Sequence, residues 1–437
     1  MRGGARMLVG AGCAVLLLIS WVIVISSKSG AEKQLELMQQ AAALVSDGIY
    51  IRAMPLLEEA AGYNAAHTLA AEAELKKVYL ALIGNKGINR KYTGLLEKQM
   101  SRRDAHPDVY AEAANYYLGI SRIPEALEAL KAGIEKTGSD RLVTLYEGNR
   151  YAYKSNRTSY DYVSAIFGST VQVQRDGFWG IAEADGVEMI PCEYERISTF
   201  SIDRAIVKKN GEIYAVDRDN NRIALLTGGA ADIGNLADDR IPLLVGGVWR
   251  RASGDFTLGA AEFEQIGMYS RGYAAAKEGG KWGVVDKGND WLIPAEYDEI
   301  IRDELGRCYA QGAVFARSGG TVFLFVGGKR VEGTYEDARP FSEEGYAAVK
   351  KSGKWGFVDT NGETVIGYMF DDALSFGQHL AAVKQGELWG YINLSGKVVI
   401  GPEFIEAKSC SNGSAPVLTG RGWHFITLLE YIKEVGI

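Results

Sequence analysis

A chain of 437 residues is too long for one ordinary core and predicts two or three domains, while 47% hydrophobic and 24% charged residues are typical of a folded protein. The net charge of −7, with no basic run of four or more residues, excludes a nucleic-acid surface, which needs clustered lysine and arginine. No two of the four cysteines form a Cys-x-x-Cys pair (Cys13, Cys192, Cys308 and Cys410). They indicate no disulfide framework or thiolate metal site, although one bridge among the last three stays open in an oxidising compartment.

The first predicted element is the uncharged apolar run Leu8–Ile25. A helix of this length is about long enough to cross a hydrocarbon core of roughly 30 Å, so residues 1–30 predict a cytoplasmic tip and a single-pass transmembrane helix. Arg2 and Arg6 precede the run, which favours an N-terminus inside the cell membrane and the bulk of the chain outside. The alternative is a signal peptide cleaved within 27–31, which would release a secreted protein.

Residues 31–162 predict an α-helical domain, because apolar residues recur at intervals of three and four and helix formers dominate. In the clearest unit, two helices are joined at 121–124, and small residues line the faces that would meet (Ala113, Ala114, Ala126 and Gly133). This spacing resembles a tetratricopeptide (TPR) repeat, and we expect three such hairpins and a final helix at 141–153 in a short α-solenoid. The resemblance implies a partner-binding groove, for which Tyr110 and Tyr117 are the candidate residues. The alternatives are a spacer or a dimerisation unit.

Residues 163–437 change to short alternating runs with frequent glycine, which predicts strands and turns. Eight repeat units can be aligned, and they start at Thr170, Arg204, Arg240, Tyr273, Ala313, Tyr346, Leu380 and Ser414. The spacing is 33 to 36 residues except between Tyr273 and Ala313, where it is 40. Such a fixed period indicates a repeat architecture whose units share one core.

Each unit places an apolar residue in one slot, which a tryptophan fills in six units, whereas Ile213 and Val322 fill it in the others. A tryptophan can bury on the order of 200 Å², and a following glycine lets a neighbouring strand or ring approach the indole. We therefore predict that these residues form a structural core rather than a chemical site. The predicted core residues are Trp179, Gly180, Trp249, Trp282, Gly283, Trp355, Gly356, Trp389, Gly390 and Trp423.

The unit itself predicts a three-stranded meander, with strands at Ala347–Lys350, Trp355–Asp359 and Thr364–Ile366 in the sixth copy. An aromatic residue follows the third strand and is expected to pack under the next unit. The predicted fold class is thus multidomain α+β, with a transmembrane helix, a TPR-like helical array and an all-β repeat domain. Whether that domain is propeller-like or an open solenoid stays open, and we identify no strand shared by its two ends.

Two stretches carry a family resemblance: Gly-Lys-Trp-Gly-Val-Val-Asp at 280–286 and Gly-Lys-Trp-Gly-Phe-Val-Asp at 353–359. With the downstream Ile-Pro or Ile-Gly and the following aromatic residue, they resemble the WG (KWG) repeat family over about residues 170–437. The resemblance implies a non-enzymatic repeat array of the kind found in bacterial multidomain and surface proteins. It implies no general ligand.

Residues that would carry catalysis or bind metal are dispersed. The four histidines (His67, His106, His379 and His424) have no metal-ligand spacing, and no nucleophile elbow or phosphate loop occurs. The string Asp217–Arg222 lacks the glycine of a calcium loop and favours a polar turn. We predict no enzyme activity, cofactor or metal site, and a membrane-anchored scaffold that binds a protein partner through its repeat surfaces. The alternative is an extracytoplasmic cell-wall or glycan-binding module, because tyrosine and tryptophan rings can stack on sugars.

Overall fold

The structure is a computed structural model that describes residues 30–225, 229–253 and 255–432. The chain divides between Gly148 and Asn149 into two compact units. The predicted membrane segment Leu8–Ile25 lies outside the described residues. Within the described ranges, every helix is too short or too polar to cross a membrane.

The first unit is helical, as the three-and-four periodicity predicts. Its seven helices in the described chain are α1 (residues 30–46), α2 (Tyr50–Gly62), α3 (Thr68–Ala81), α4 (Ile88–Met100), α5 (Pro107–Gly119), α6 (Ile123–Thr137) and α7 (Asp140–Asn149). Pro107 starts α5, where the missing N–H costs nothing, and Gly138 ends α6 in a left-handed conformation. These signals explain why the chain turns where it does.

Close packing of α5 on α6 depends on Gly133. A Cβ atom there would lie 2.7 Å from the Cβ atom of Tyr110 and 2.6 Å from a methyl carbon of Leu142. Because real Cβ atoms do not approach other carbons so closely, only glycine lets these helices meet at this distance. The helical hairpin is present, whereas the TPR-like assignment stays a prediction.

The second unit contains eight antiparallel sheets, each with four strands. The strands of the first four sheets are β2 (Tyr162–Val163), β3 (Thr170–Arg175), β4 (Phe178–Glu183) and β5 (Glu188–Tyr194); β6 (Arg196–Ile197), β7 (Ala205–Lys209), β8 (Glu212–Val216) and β9 (Arg222–Leu225); β10 (Ala230–Ile233), β11 (Arg240–Val245), β12 (Val248–Ser253) and β13 (Leu258–Phe263); and β14 (Gln265–Ile266), β15 (Tyr273–Glu278), β16 (Lys281–Asp286) and β17 (Trp291–Tyr297). We number these sheets as blades 1 to 4.

Blades 5 to 7 have the same order. They contain β18 (Glu299–Ile300), β19 (Ala313–Ser318), β20 (Thr321–Val326) and β21 (Lys329–Arg330); β22 (Asp337–Ala338), β23 (Ala347–Lys351), β24 (Lys354–Val358) and β25 (Thr364–Phe370); and β26 (Asp372–Ala373), β27 (Leu380–Gln385), β28 (Leu388–Asn393) and β29 (Val398–Phe404). Blade 8 combines β30 (Glu406–Ala407), β31 (Ser414–Thr419) and β32 (Gly422–Leu428) with β1 (Tyr153–Ser155). A short 3₁₀-helix, Leu429–Tyr431, follows.

Strand β1 closes the ring, because it pairs antiparallel with β32 and places Tyr153 opposite Leu428. The second unit is therefore a closed eight-bladed β-propeller. The predicted fold class was wrong here: the blades have four strands rather than three, and the two ends do share a strand. No membrane-spanning helix is among the elements that the structure describes, and the segment predicted to form one lies outside them.

The propeller core lies between consecutive blades. Phe370 and Trp355 of blade 6, for example, pack in one cluster with Ala381 and Ile392 of blade 7. Blade 8 packs on blade 1 in the same way, through Trp423. The aromatic residues expected after the third predicted strand contribute to such clusters: Tyr194, Tyr297, Phe370 and Phe404. Cys192, Cys308 and Cys410 are free thiols.

In four of the six units with a tryptophan, the glycine after it permits a close crossing of two strands. Trp389 lies opposite Phe404, and the pairing of β28 with β29 shifts register immediately after it. A Cβ atom on Gly390 would lie 2.6 Å from the carbonyl oxygen of Ile400, and Gly180, Gly283 and Gly356 have equivalent approaches of 2.4 to 2.7 Å. In the Trp-Gly pair, the tryptophan thus supplies a large ring to the core, and the glycine makes a backbone contact too close for any side chain.

Replacing Gly390 with alanine is expected to lower the free energy of unfolding by about 1–3 kcal/mol, because the added methyl group would force two strands apart. The matched control is Gly401→Ala in the same blade, where a Cβ atom would meet nothing within 4 Å. That control should change stability by less than about 0.5 kcal/mol. Urea unfolding followed by tryptophan fluorescence measures both, and equal effects would refute the close-crossing explanation.

Candidate binding site in the central channel

The first strand of each blade is an edge strand. The loops that follow these strands contact one another across non-adjacent blades, such as Asn235 of blade 3 with Leu305 of blade 5, which places them around a central channel. We call these eight segments the channel loops: residues 164–169, 198–204, 234–239, 267–272, 301–312, 339–346, 374–379 and 408–413. Because every first strand runs in the same direction, all channel loops lie at one end of the propeller. Hydrogen bonds connect several neighbours, such as the side-chain amide of Asn412 to the Gly168 carbonyl oxygen at 2.6 Å.

A polar network connects three consecutive blades and includes residues of two channel loops. Gln172 of blade 1 donates through Nε2 to the Ile197 carbonyl oxygen at 2.6 Å and to Oδ1 of Asn235 in blade 3 at 2.9 Å. The same Asn235 oxygen accepts from the Thr199 backbone N–H at 3.1 Å. Since all the donors and acceptors of this network are buried or half-buried, its bonds hold the relative positions of blades 1, 2 and 3.

The channel loop of blade 5, which we call the plug loop, is twice the usual length. It spans residues 301–312, whereas blades 1, 3, 4, 7 and 8 use six residues. Asp303 closes its tip by accepting from the backbone N–H groups of Leu305 at 3.0 Å and Arg307 at 2.9 Å. The same hydrogen-bond pattern closes the polar turns at Asp359 and at Asp217, so the plug loop reuses the turn that joins strands in other blades.

The tip of the plug loop bridges the channel. Oε2 of Glu304 accepts from Tyr162 of blade 1 at 2.8 Å and pairs with Nζ of Lys408 in blade 8 at 2.7 Å. The Leu305 carbonyl oxygen accepts from Nδ2 of Asn235 at 2.9 Å. Burial and the Glu304 charge raise the pKa of Tyr162 well above its usual range, which keeps the phenol protonated as a donor. The tip of the plug loop is therefore held by polar contacts with blades 1, 3 and 8.

A cavity of about 390 Å³ remains beside the plug loop. Blade 3 contributes Asn235 and Pro242 to its lining, blade 4 contributes Ile266 and Met268, and the plug loop supplies Arg302 among others. The wall thus combines apolar side chains with several charged and polar ones. Its volume falls near the lower end of the roughly 300–1,000 Å³ range of ligand pockets.

Arg302 is the unusual member of this lining. Its guanidinium carbon lies 3.9 Å from the ring centroid of Trp282, so the indole covers one face of the cation. Within the ranges that the structure describes, the guanidinium has neither a hydrogen-bond acceptor nor an ion-pair partner. A half-buried cation without a polar partner is a candidate ligand group.

The tryptophan slot meets this cavity at blade 4, where the Trp282 ring covers Arg302. Trp282, Trp355, Trp389 and Trp423 are buried, whereas Trp179 and Trp249 are half-buried. Ile213 and Val322 are also buried in the same position. The glycines Gly180, Gly283 and Gly356 lie at the strand crossings described above. The structure therefore places all these residues in packing positions between or within blades.

The two candidate groove residues of the helical unit are buried. Tyr110 is 2% exposed and donates its hydroxyl to the Met100 carbonyl oxygen at 2.8 Å, and Tyr117 is 7% exposed. A partner would reach little of either ring, so any groove on this unit must present other side chains. The groove itself stays a prediction.

Sequence reasoning missed Arg302, Glu304 and Lys408. The available signal was the spacing of 40 residues between Tyr273 and Ala313, because the extra length corresponds to the plug loop. The turn signature Asp303-Glu-Leu-Gly306 lies inside that insertion. Neither signal predicts where the loop goes, since its contacts are with distant blades.

The fold and slot geometry define a repeat-built β-propeller. The WG-containing repeat model matches residues 179–212, 260–282, 282–303, 327–355, 355–389 and 389–423. The WG repeat array that we predicted from the sequence is confirmed over these stretches. No curated protein matches the chain significantly.

Several solved structures are similar at low identity. Kluyveromyces lactis Hsv2 with its complete loop 6CD is 11% identical, covering 61% of this chain and 97% of its own, with a TM-score of 0.36. The Neurospora crassa Pan2 WD40 domain is 8% identical, with coverages of 62% and 89% and a TM-score of 0.34. YCF48 bound to D1 peptide is 13% identical, with coverages of 61% and 99% and a TM-score of 0.32. Scores this low carry no argument about function.

Proposed function

We propose that this protein is a non-enzymatic binding or scaffolding protein whose propeller holds a protein partner at the channel-loop end. The observation that carries the proposal is the cavity beside the plug loop, which has a wall held by hydrogen bonds and a cation, Arg302, that has no acceptor in the described chain. Pre-formed concave sites are where proteins usually bind ligands.

The exposed side chain of Ile202 supports the choice of this end. It lies in the channel loop of blade 2, is 81% exposed, and has a φ of 62°, in the left-handed region that β-branched residues avoid. The equivalent positions of six other channel loops hold residues that are not β-branched, namely Gly168, Asp238, Arg271, Gln311, Gln378 and Asn412. A strained and exposed apolar residue is costly to the free protein, so a contact with a partner would explain its presence.

A photo-crosslinking amino acid in the full-length chain tests this proposal in its native cell. We expect one discrete adduct with the probe at Ile202 and none with the probe at Met369, which is 56% exposed on the fourth strand of blade 6. Both side chains are exposed, so a probe at either position can reach a partner. No adduct at Ile202, or the same adducts at both positions, would refute partner binding at the channel-loop end.

The glycan-binding alternative needs exposed aromatic faces, and burial of four of the six slot tryptophans leaves few. It stays open at the half-buried Trp179 and Trp249. Binding of the full chain to insoluble polysaccharide, abolished by Trp179→Ala and Trp249→Ala together, would favour it over the protein-partner proposal.

A further inference from the structure

We infer that Arg302 binds a carboxylate group of the protein partner, which enters the channel cavity and packs its carbon chain against Pro242, Ile266 and Met268. This inference rests on the proposed function and names the chemistry of its ligand. The carboxylate comes from a free C-terminus or from an acidic side chain, and the experiment below separates these two sources.

The geometry of Arg302 is suited to a planar anion. Trp282 covers one face of the guanidinium at 3.9 Å and restricts the rotation of the group. The N–H groups of a guanidinium point outward in its plane, so stacking on a ring leaves them available to an acceptor at the edge. Two parallel N–H groups match the two oxygens of a carboxylate, and such bidentate pairs are among the stronger hydrogen-bonded contacts in proteins.

The neighbouring carboxylates make no ion pair with Arg302 in the described chain, because each pairs with another cation, although the charge of Glu299 acts on Arg302 without contact. Glu299 pairs with Arg317 at 2.9 Å, Asp303 with Arg307 at 2.6 Å, and Glu304 with Lys408 at 2.7 Å. Burial lowers the pKa of the Arg302 guanidinium below its usual range, although the group stays charged at neutral pH. The protein therefore removes water from this cation without supplying a contacting anion, and an incoming carboxylate would supply it.

The lining favours a carboxylate over a phosphate. Glu299, Asp303 and Glu304 surround the cation, so a doubly charged phosphate would meet more repulsion than a singly charged carboxylate. The apolar side of the cavity suits a short carbon chain rather than a second charge. At about 390 Å³, the cavity has room for one residue-sized group.

Titration of the full-length chain with small probes, followed by ligand-observed NMR, tests the inference. N-acetyl-leucine presents a free C-terminal carboxylate, N-acetyl-glutamic acid α-amide presents an acidic side chain, and N-acetyl-leucinamide is the neutral control. We expect at least one acid to bind about tenfold more tightly than the neutral amide, and the better acid identifies the source. Equal binding of acids and amide, tighter binding of inorganic phosphate, or no binding of either acid at millimolar concentration would overturn the inference.

Variants locate the bound carboxylate. Arg302→Gln should weaken binding of the better acid about tenfold, and Arg302→Lys, which keeps the charge but not the planar pair of donors, should have a smaller effect. The matched control is Arg330→Gln, because that guanidinium also lies 3.9 Å from a ring centroid, that of Phe323, but on the fourth strand of blade 5. The control should leave binding unchanged. If Arg302→Gln bound the acid as tightly as the wild type, the inference would be overturned, because a variant that binds the acid must be folded.

The same variants separate this inference from the proposed function. If the Ile202 crosslink persists at equal yield in Arg302→Gln, the partner binds at the channel-loop end without the carboxylate contact, and only this inference fails. If wild type gives no crosslink, the proposed function fails. Loss of the crosslink in Arg302→Gln but not in Arg330→Gln supports both.

Discussion

Replacing Trp355 with alanine should lower the free energy of unfolding by about 3–5 kcal/mol, the range for large-to-small changes at buried aromatic residues. Trp355 is 3% exposed, lies opposite Phe370, and packs in the cluster between blades 6 and 7. The guanidinium of Arg339 also lies 4.5 Å from its ring centroid. Truncation would therefore leave a cavity at a blade interface and remove a cation–π contact as well. Urea unfolding followed by tryptophan fluorescence measures the change.

The matched control for Trp355 is Phe178→Ala. Phe178 is also aromatic and also adjoins the tryptophan slot, but it is 49% exposed. Its truncation should cost less than about 1 kcal/mol, because little of its surface leaves water on folding. If Trp355→Ala were as stable as the wild type, the indole would have to be a surface binding group rather than part of the core.

Replacing Glu304 with alanine should lower the free energy of unfolding by about 3 kcal/mol, because it leaves Lys408 without the carboxylate at 2.7 Å. The Lys408 side chain is 10% exposed, so water replaces the lost partner poorly. Its second carboxylate, on Glu406, is farther away at 3.4 Å. The plug loop would also lose its hydrogen bond from Tyr162. Chemical unfolding of the full chain measures the change.

A double variant identifies the cause of that loss. Glu304→Ala combined with Lys408→Met also removes the lysine charge that the single variant leaves without its partner. The double variant should regain much of the lost stability, since a buried pair is often replaceable by apolar groups. The exposed pair of Arg222 and Glu212, with side chains 42% and 60% exposed, is the control. Glu212→Ala should change stability by less than about 1 kcal/mol. A double variant that is less stable than Glu304→Ala would contradict this account of the plug.

Local signals in the sequence predicted the helical region, the repeat period and the tryptophan slot. Periodicity of three and four marked the helices that end with Asn149, and the pair Trp-Gly marked the same strand position in four units. These features are readable because one packing position recurs in every blade and the glycine crossing recurs in four of them. The first strand of each blade escaped prediction because most copies have only two residues, too few to show an alternating pattern.

The candidate site could be predicted only in part, since the sequence shows the extra length of the plug loop but not its contacts. The spacing of 40 residues pointed to an insertion, yet Glu304 and its partner Lys408 are 104 residues apart. No local pattern links residues so distant. For the same reason, β1 was not predicted: it lies in the stretch that we assigned to helices, and it pairs with the last strand, β32.

By itself, the sequence determined the repeat unit, because large apolar residues at a fixed offset must share one packing position. Only the tertiary structure decided that the ring closes, that the plug loop crosses the channel and that Arg302 faces a cavity without an anion in contact with it. Closure depends on the pairing of Tyr153 with Leu428, and the cavity depends on side chains from three blades. Both are products of long-range contacts, which a repeated local pattern permits but does not specify.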